Sequence, residues 1–462
     1  MAKSPFAKRE ESYELSRRAL IKWTVAAGAA LGVSRSKIFD ILEGTAGRGT
    51  AFAAAANPTT RSFHIVAGNG GLAWFQLLWP QVDIAMANNP TFAWHRPGMA
   101  SLVPGTFKPL ATGPDTPWAT VPAQRQLTGF VCGNNETHTG QSTSTTLLNG
   151  SNIHAVASVL QSSSPSVIPA ITVGQTTLGN APGAPVAAQI GSADDAVGLF
   201  NSAASRAGGL LAMPGHASLY KAQYDAFAQL NRAANRSTTK KSYATASGAA
   251  SFLGTNLAAK LSLQAEDLTM YGVDGATRNN VRDIAEMMIF SVKAFKMGLT
   301  NAVVIPAMND DPHGAFADGS VDTVPAQLKK VFDGFMTHLT ATTDDVTLTT
   351  LADDITITIS GDTTKTSLDR NGWPDGTPNN SNMLFVYSSG HLKSGWFGGI
   401  KANGTAEGFN AQGAAAAYNG ASQARLGLAS IAYAIAKRDE RAISTFANGL
   451  QISNVFGNPK DQ

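Results

Sequence analysis

Residues 281–314 read VRDIAEMMIFSVKAFKMGLTNAVVIPAMNDDPHG and pass from one backbone period to another. Val281, Ile284, Ala285, Met288, Val292 and Phe295 recur every three or four residues, which places them on one face of a helix. Gly298 stands where a helix stop belongs. Residues 302–305 then run apolar without alternation, the pattern of a strand buried on both faces. A helix feeding a buried strand is the repeating unit of an α/β protein with a largely parallel sheet.

Outward from this unit the pattern repeats. Short β-branched or aromatic runs at 63–67, 127–132, 168–173, 355–360 and 383–387 read as further strands, and 324–339 and 422–437 as further helices. Stretches 174–193 and 361–382 are rich in Gly, Ala, Ser, Thr and Asn and read as long loops. No fixed period marks a solenoid or propeller. The expectation is one elaborate domain over 57–462, with a boundary near the polar stretch 231–242 as the alternative.

The N-terminal segment reads differently. Ser16-Arg17-Arg18-Ala19-Leu20-Ile21-Lys22 joins paired arginines to two apolar residues and a lysine, the twin-arginine export pattern. A weakly apolar stretch, 23–33, follows, and small residues at 51–56 offer a cleavage site before Asn57. The pattern predicts a signal segment over 1–56, the twin-arginine export machinery as a partner, and a soluble mature chain in the periplasm or outside the cell. Cys132 is the only cysteine, which excludes an intrachain disulfide.

Nine of the 35 Lys/Arg and five of the 32 Asp/Glu lie in residues 1–56, leaving 26 basic against 27 acidic side chains beyond them. So balanced a surface has no electrostatic footprint for nucleic acid. No later apolar stretch reaches the roughly 20 residues that span a bilayer, so no transmembrane segment is expected in the mature chain.

Three segments carry a resemblance. The first is Phe63-His64-Ile65-Val66-Ala67-Gly68-Asn69-Gly70-Gly71, a strand ending in a Gly-Gly turn, with Trp79-Pro80 downstream. The second is 302–307 followed by Met308-Asn309-Asp310-Asp311-Pro312-His313-Gly314, similar to a strand and Asp-Thr-His-Gly motif. The third, Ile355-Thr356-Ile357-Thr358-Ile359-Ser360-Gly361-Asp362-Thr363, takes the place of a strand and Ser-Glu-Phe-Gly-Arg-Thr motif, with Asn379-Asn380 where an Asp-His pair is expected. In order and spacing they resemble a family of twin-arginine-exported bacterial proteins of unknown function within the alkaline-phosphatase and sulfatase-like superfamily. The resemblance implies a three-layer α/β/α fold with its site at the carboxyl ends of the strands. His138 looks like the histidine of a Ser-His motif of that family.

Asp310, Asp311 and His313 leave a buried strand together, and Asp362 leaves the next in the same sense. Carboxylates and an imidazole in that position suit one divalent ion, Zn²⁺ or Mg²⁺, held by Asp311, His313 and Asp362 with Asp310 or His138 in support. The same Asp-Asp-Pro-His-Gly segment is also a good turn. Superfamily hydrolases place a hydroxyl or thiol nucleophile after the first strand, whereas this chain reads Leu72-Ala73-Trp74-Phe75. The expectation is therefore an exported binding or envelope-associated protein with a partly eroded metal site. A hydrolase of phosphate or sulfate esters that uses a bound water, and a secreted structural component, are the alternatives.

Overall fold

In the computed structural model, Arg61–Ala67 (β1) is buried along its whole length and lies inside an eight-stranded sheet. The other strands are Thr128–Asn134 (β2), Ile168–Val173 (β3), Ala188–Ile190 (β4), Thr300–Ala307 (β5), Ile355–Gly361 (β6), Ser381–Tyr387 (β7) and Gly395–Phe397 (β8). Their order is β8-β2-β7-β6-β1-β5-β3-β4. β1 runs parallel to both β5 and β6, β2 to β8 and β3 to β4, while β7 is antiparallel to both of its neighbours. The chain is thus mixed α/β with a mostly parallel sheet.

The structure describes residues 58–199 and 256–458, apart from 88, 97, 98, 137, 139–142, 165, 454 and 455. The export pattern at Ser16, Arg17, Arg18, Leu20 and Lys22 and the stretch 231–242 lie outside the described residues. By contacts the chain divides into two units. One comprises residues 54–164, 169–193 and 263–462 and holds the site described below; the other comprises 1–53, 165–168 and 194–262. No helix among the described residues is long and apolar enough to cross a membrane.

Helices cover both faces of the sheet. They include Leu72–Leu78 (α1), Ile153–Leu160 (α2), Asn279–Lys296 (α3), Val324–Ala341 (α4) and Gly420–Ile435 (α5). Successive residues of a strand point to opposite faces. Phe63 accordingly meets Phe335 of α4, with ring centroids 5.2 Å apart, while His64 meets His154 of α2 at 4.8 Å. On the α4 side α3 packs against both α4 and β5. On the α2 side Phe130, Cys132, Leu384 and Val386 of the sheet bury against Leu428 and Ile431 of α5. Burying apolar surface on two faces at about 25 cal/mol per Å² is what makes strands such as β5 continuous apolar runs.

All six predicted strands are present, and they and the three predicted helices, α3, α4 and α5, match within two residues at each end. β4 falls in the 174–193 stretch that reads as loop, and β8 lies beyond the 361–382 loop, outside every predicted strand. At three residues each they are too short for a period to register. Leu72-Ala73-Trp74-Phe75, after β1, is a wholly buried helical turn of α1.

Candidate metal centre

One edge of the sheet collects the chemistry. β1, β2, β5 and β6 all end there, and the antiparallel β7 begins there, so five connections converge on one crest. β1 gives way to Gly68-Asn69-Gly70-Gly71, β5 to the segment with Asp311 and His313, β6 to Asp362-Thr363-Thr364-Lys365, and β2 to Glu136 and His138. The approach to β7 brings Asp375.

Close backbone packing explains the glycines. A Cβ on Gly71 would sit 1.4 Å from the carbonyl oxygen of Met308, and one on Gly361 would sit 2.3 Å from that of Ala67. The crest is drawn together so tightly that no side chain fits at either point. Gly361 therefore occupies its place because the ends of β1 and β6 touch, and Asp362 is the first residue of β6's exit that can carry chemistry.

At the centre is Lys365. Its side chain is completely buried, and its Nζ lies 2.7 Å from Asp311 Oδ1, 2.5 Å from Asp375 Oδ1 and 2.7 Å from His313 Nδ1. His313 Nδ1 is also 2.5 Å from Asp311 Oδ2. His138 Nε2 closes the ring, 3.3 Å from Asp375 Oδ2 and 3.5 Å from Asp311 Oδ2. One donor atom each from His138, His313 and Asp375 all lie within 4.8 Å of one another. Two imidazoles and carboxylates at that spacing form a set that a single borderline cation such as Zn²⁺ accepts. Burial acts to raise the Asp311 carboxyl, but hydrogen bonds from Lys365 and His313 outweigh it and hold the group below the ordinary carboxylate range.

The structure sorts the residues named from the sequence. Asp311, His313 and His138 come together. Asp310 turns away from the ring: its Oδ2 accepts from Arg278 at 2.5 Å and its Oδ1 from Asn280 at 3.4 Å. Asp362 borders the ring without joining it. Its Oδ1 accepts from the Gly70 backbone N–H at 3.3 Å, while Oδ2 is buried with no hydrogen-bond partner among the described residues. Burial pushes the Asp362 carboxyl up to about 6, against the opposing hydrogen bond from Gly70. Asn379 and Asn380 form a turn with positive φ, and Asn379 Oδ1 accepts from the Ala406 backbone.

Asp375 and Lys365 are the residues that sequence reasoning missed. Asp375 lies in the 361–382 stretch read as loop, and only the reversed direction of β7 brings it to the crest. Lys365 carried one signal, a lone cation in a run of threonines and small residues just past a buried strand. The site is also locally strained, with His138, Met308 and Thr363 all at positive φ. Thr363 secures His138: its hydroxyl donates to the Glu136 carbonyl and accepts from the His138 backbone N–H at 3.0 Å.

A polar cleft of about 380 Å³ opens beside the ring and is lined in part by Trp74, Arg278, Asp310, Asp311, Asp318 and Gln327. Asp311 belongs to both. Trp79, Trp94, Trp118, Trp373 and Trp396 are buried, and the Trp74 ring at the cleft wall is covered by Arg278, whose guanidinium carbon lies 5.6 Å from the ring centroid. No family model, curated protein or solved structure matches this chain.

Proposed function

We propose that this chain is an exported member of the alkaline-phosphatase and sulfatase-like superfamily, with that superfamily's three-layer fold. In this reading it binds at most one divalent cation at the crest and serves in ligand binding or envelope association instead of ester turnover. The observation that carries the reading is the approach of His138, His313 and Asp375 donor atoms to within 4.8 Å, with Asp311 alongside. A donor set with two imidazoles favours Zn²⁺ over Mg²⁺, which takes oxygen ligands. When bound, the ion supplies a positive point that an oxyanion of a ligand in the neighbouring cleft can approach.

Two features favour binding over turnover. The turn after β1 offers only buried Leu72, Ala73, Trp74 and Phe75, with no hydroxyl or thiol. The Thr363 hydroxyl at the crest is buried and already engaged with the Glu136 carbonyl and the His138 N–H. One observation supports the second reading, hydrolysis by a water. Asp362, with its raised carboxyl and an Oδ2 that has no hydrogen-bond partner among the described residues, has the character of a general base.

The test is elemental analysis of gently purified protein together with assays on p-nitrophenyl phosphate and sulfate. The expected result is one equivalent of divalent ion or less and no chelator-sensitive turnover. Turnover that is lost with chelator and in Asp362→Asn moves the assignment to the hydrolase reading. Two tightly held equivalents overturn the single-site reading.

A further inference from the structure

We infer that Lys365 is the resident cation of the crest, its ammonium standing where a divalent ion would sit, so that metal binds only as the amine withdraws. This rests on reading the crest as a metal centre, and it assigns the control of metal affinity to one residue.

An ammonium has three N–H donors; Asp311 Oδ1 and Asp375 Oδ1 accept two of them at 2.7 and 2.5 Å, and the third faces the His313 ring, whose Nδ1 and Nε2 lie 2.7 and 3.2 Å away. With two protons on carboxylates and the third turned toward the His313 ring, the buried amine has none facing a ligand anion. It is therefore not a substrate-anchoring lysine. Counting Asp311 and Asp375 against Lys365 also leaves one negative charge, which favours a cation over an anion at this point.

The amine is delivered on a fixed pedestal. Gln76 of α1 grips the Lys365 backbone from both sides, donating to its carbonyl at 3.0 Å and accepting from its N–H at 3.3 Å. A bridge between Lys365 and Asp375 pins the segment further. The side chain is wholly buried while the carboxylates and imidazoles around it remain partly open to solvent. This is the arrangement of an internal counter-ion, held from behind, with its ligands facing outward.

His313 shows that the ammonium fills the position imperfectly. Its Nδ1 lies 2.7 Å from the Lys365 amine, which requires a lone pair, and 2.5 Å from Asp311 Oδ2, which requires a proton. One ring nitrogen cannot satisfy both, and Nε2, the other acceptor the ring offers the amine, stands farther off at 3.2 Å. A metal ion asks only for lone pairs, and it draws its ligands to about 2.0 to 2.2 Å, roughly half an ångström closer than the ammonium holds them. The ring is therefore suited to a cation smaller than the one it carries.

The experiment compares wild-type protein with Lys365→Met and Lys365→Gln, titrated with Zn²⁺ against a chromophoric chelator and followed by thermal melting. Removing a fixed positive charge from the centre of the ligand ring is expected to tighten Zn²⁺ binding by about 100-fold. It is also expected to produce a Zn²⁺-dependent rise in Tm that wild type lacks at the same concentration. Lys365→Gln keeps an N–H donor toward the carboxylates and serves if Lys365→Met folds poorly without metal. Adding His313→Ala to either variant should abolish the gain. Wild type and both variants binding one equivalent equally tightly would overturn the role of Lys365 and leave the metal centre standing. Failure of all three to bind at millimolar Zn²⁺ would remove both.

Discussion

The buried pair His64 and His154 makes the protein acid-sensitive in a way that one substitution can isolate. Both side chains are inaccessible between β1 and α2, with ring centroids 4.8 Å apart. Burial lowers His154 to about 4, against the pull of the Thr177 backbone, and burial together with the nearby His154 lowers His64 well below the ordinary imidazole range. An unfolded histidine takes up its proton near 6.5. Between pH 6.5 and 4 the unfolded chain therefore binds more protons than the folded one, and stability falls as the pH falls through that window. For His154 the full difference of about 2.5 pH units corresponds to about 3 kcal/mol, of which about 2 kcal/mol is lost between pH 7 and pH 5. Asp362 acts in the opposite sense. Its carboxyl is raised to about 6, so its contribution to stability grows as the pH falls from 6 toward the ordinary carboxylate value. The total pH profile is thus partly cancelled, and the informative quantity is a difference between variants. Urea unfolding of wild type and His154→Phe at pH 7 and pH 5 should show the variant losing about 2 kcal/mol less over that interval. Any repacking cost of the phenyl ring enters at both pH values and drops out, and His154→Leu provides a smaller replacement. If both variants keep the wild-type dependence on pH, the argument from burial is refuted.

Replacing Arg17 and Arg18 by Lys should leave precursor inside the cell, because a point charge does not replace the planar guanidinium fork; fractionation and immunoblotting check this. His313→Ala should remove whatever divalent ion the wild type holds, since its ring nitrogen is one of the three converging donors; undiminished metal by elemental analysis would misplace the centre. Gly361→Ala should lower stability by about 2 to 4 kcal/mol, because its Cβ would meet the Ala67 carbonyl and neither strand end can move without opening the crest; a Tm within a degree of wild type would contradict the close approach. Cys132, buried with its thiol pushed up to about 12, should react with thiol reagents only after unfolding, and rapid labelling of the native protein would count against its place in the core.

The α/β class was legible in the chain because its signals are local. The apolar face of 281–295 and the unbroken run at 302–305 follow from period and burial within a few residues, and they recur as α3 and β5. Asp311 and His313 were legible for the same reason, since the exit from a buried parallel strand must face the carboxyl edge. What sequence could not supply was the company these residues keep. Asp310 and Asp311 are neighbours in the chain, yet one pairs with Arg278 and the other with Lys365, a choice set by where α3 begins relative to the exit of β5. Asp375 reaches the crest because β7 runs antiparallel, and strand direction is decided by pairing between segments far apart in sequence. Lys365 lies at the centre because Gln76, 289 residues earlier, fixes its backbone. Local period and residue type are properties of the chain itself, so sequence determined the elements and the edge from which they act. Which charges meet at that edge depends on packing across the sheet, and only the tertiary structure decided that Lys365 would sit among Asp311, Asp375 and His313.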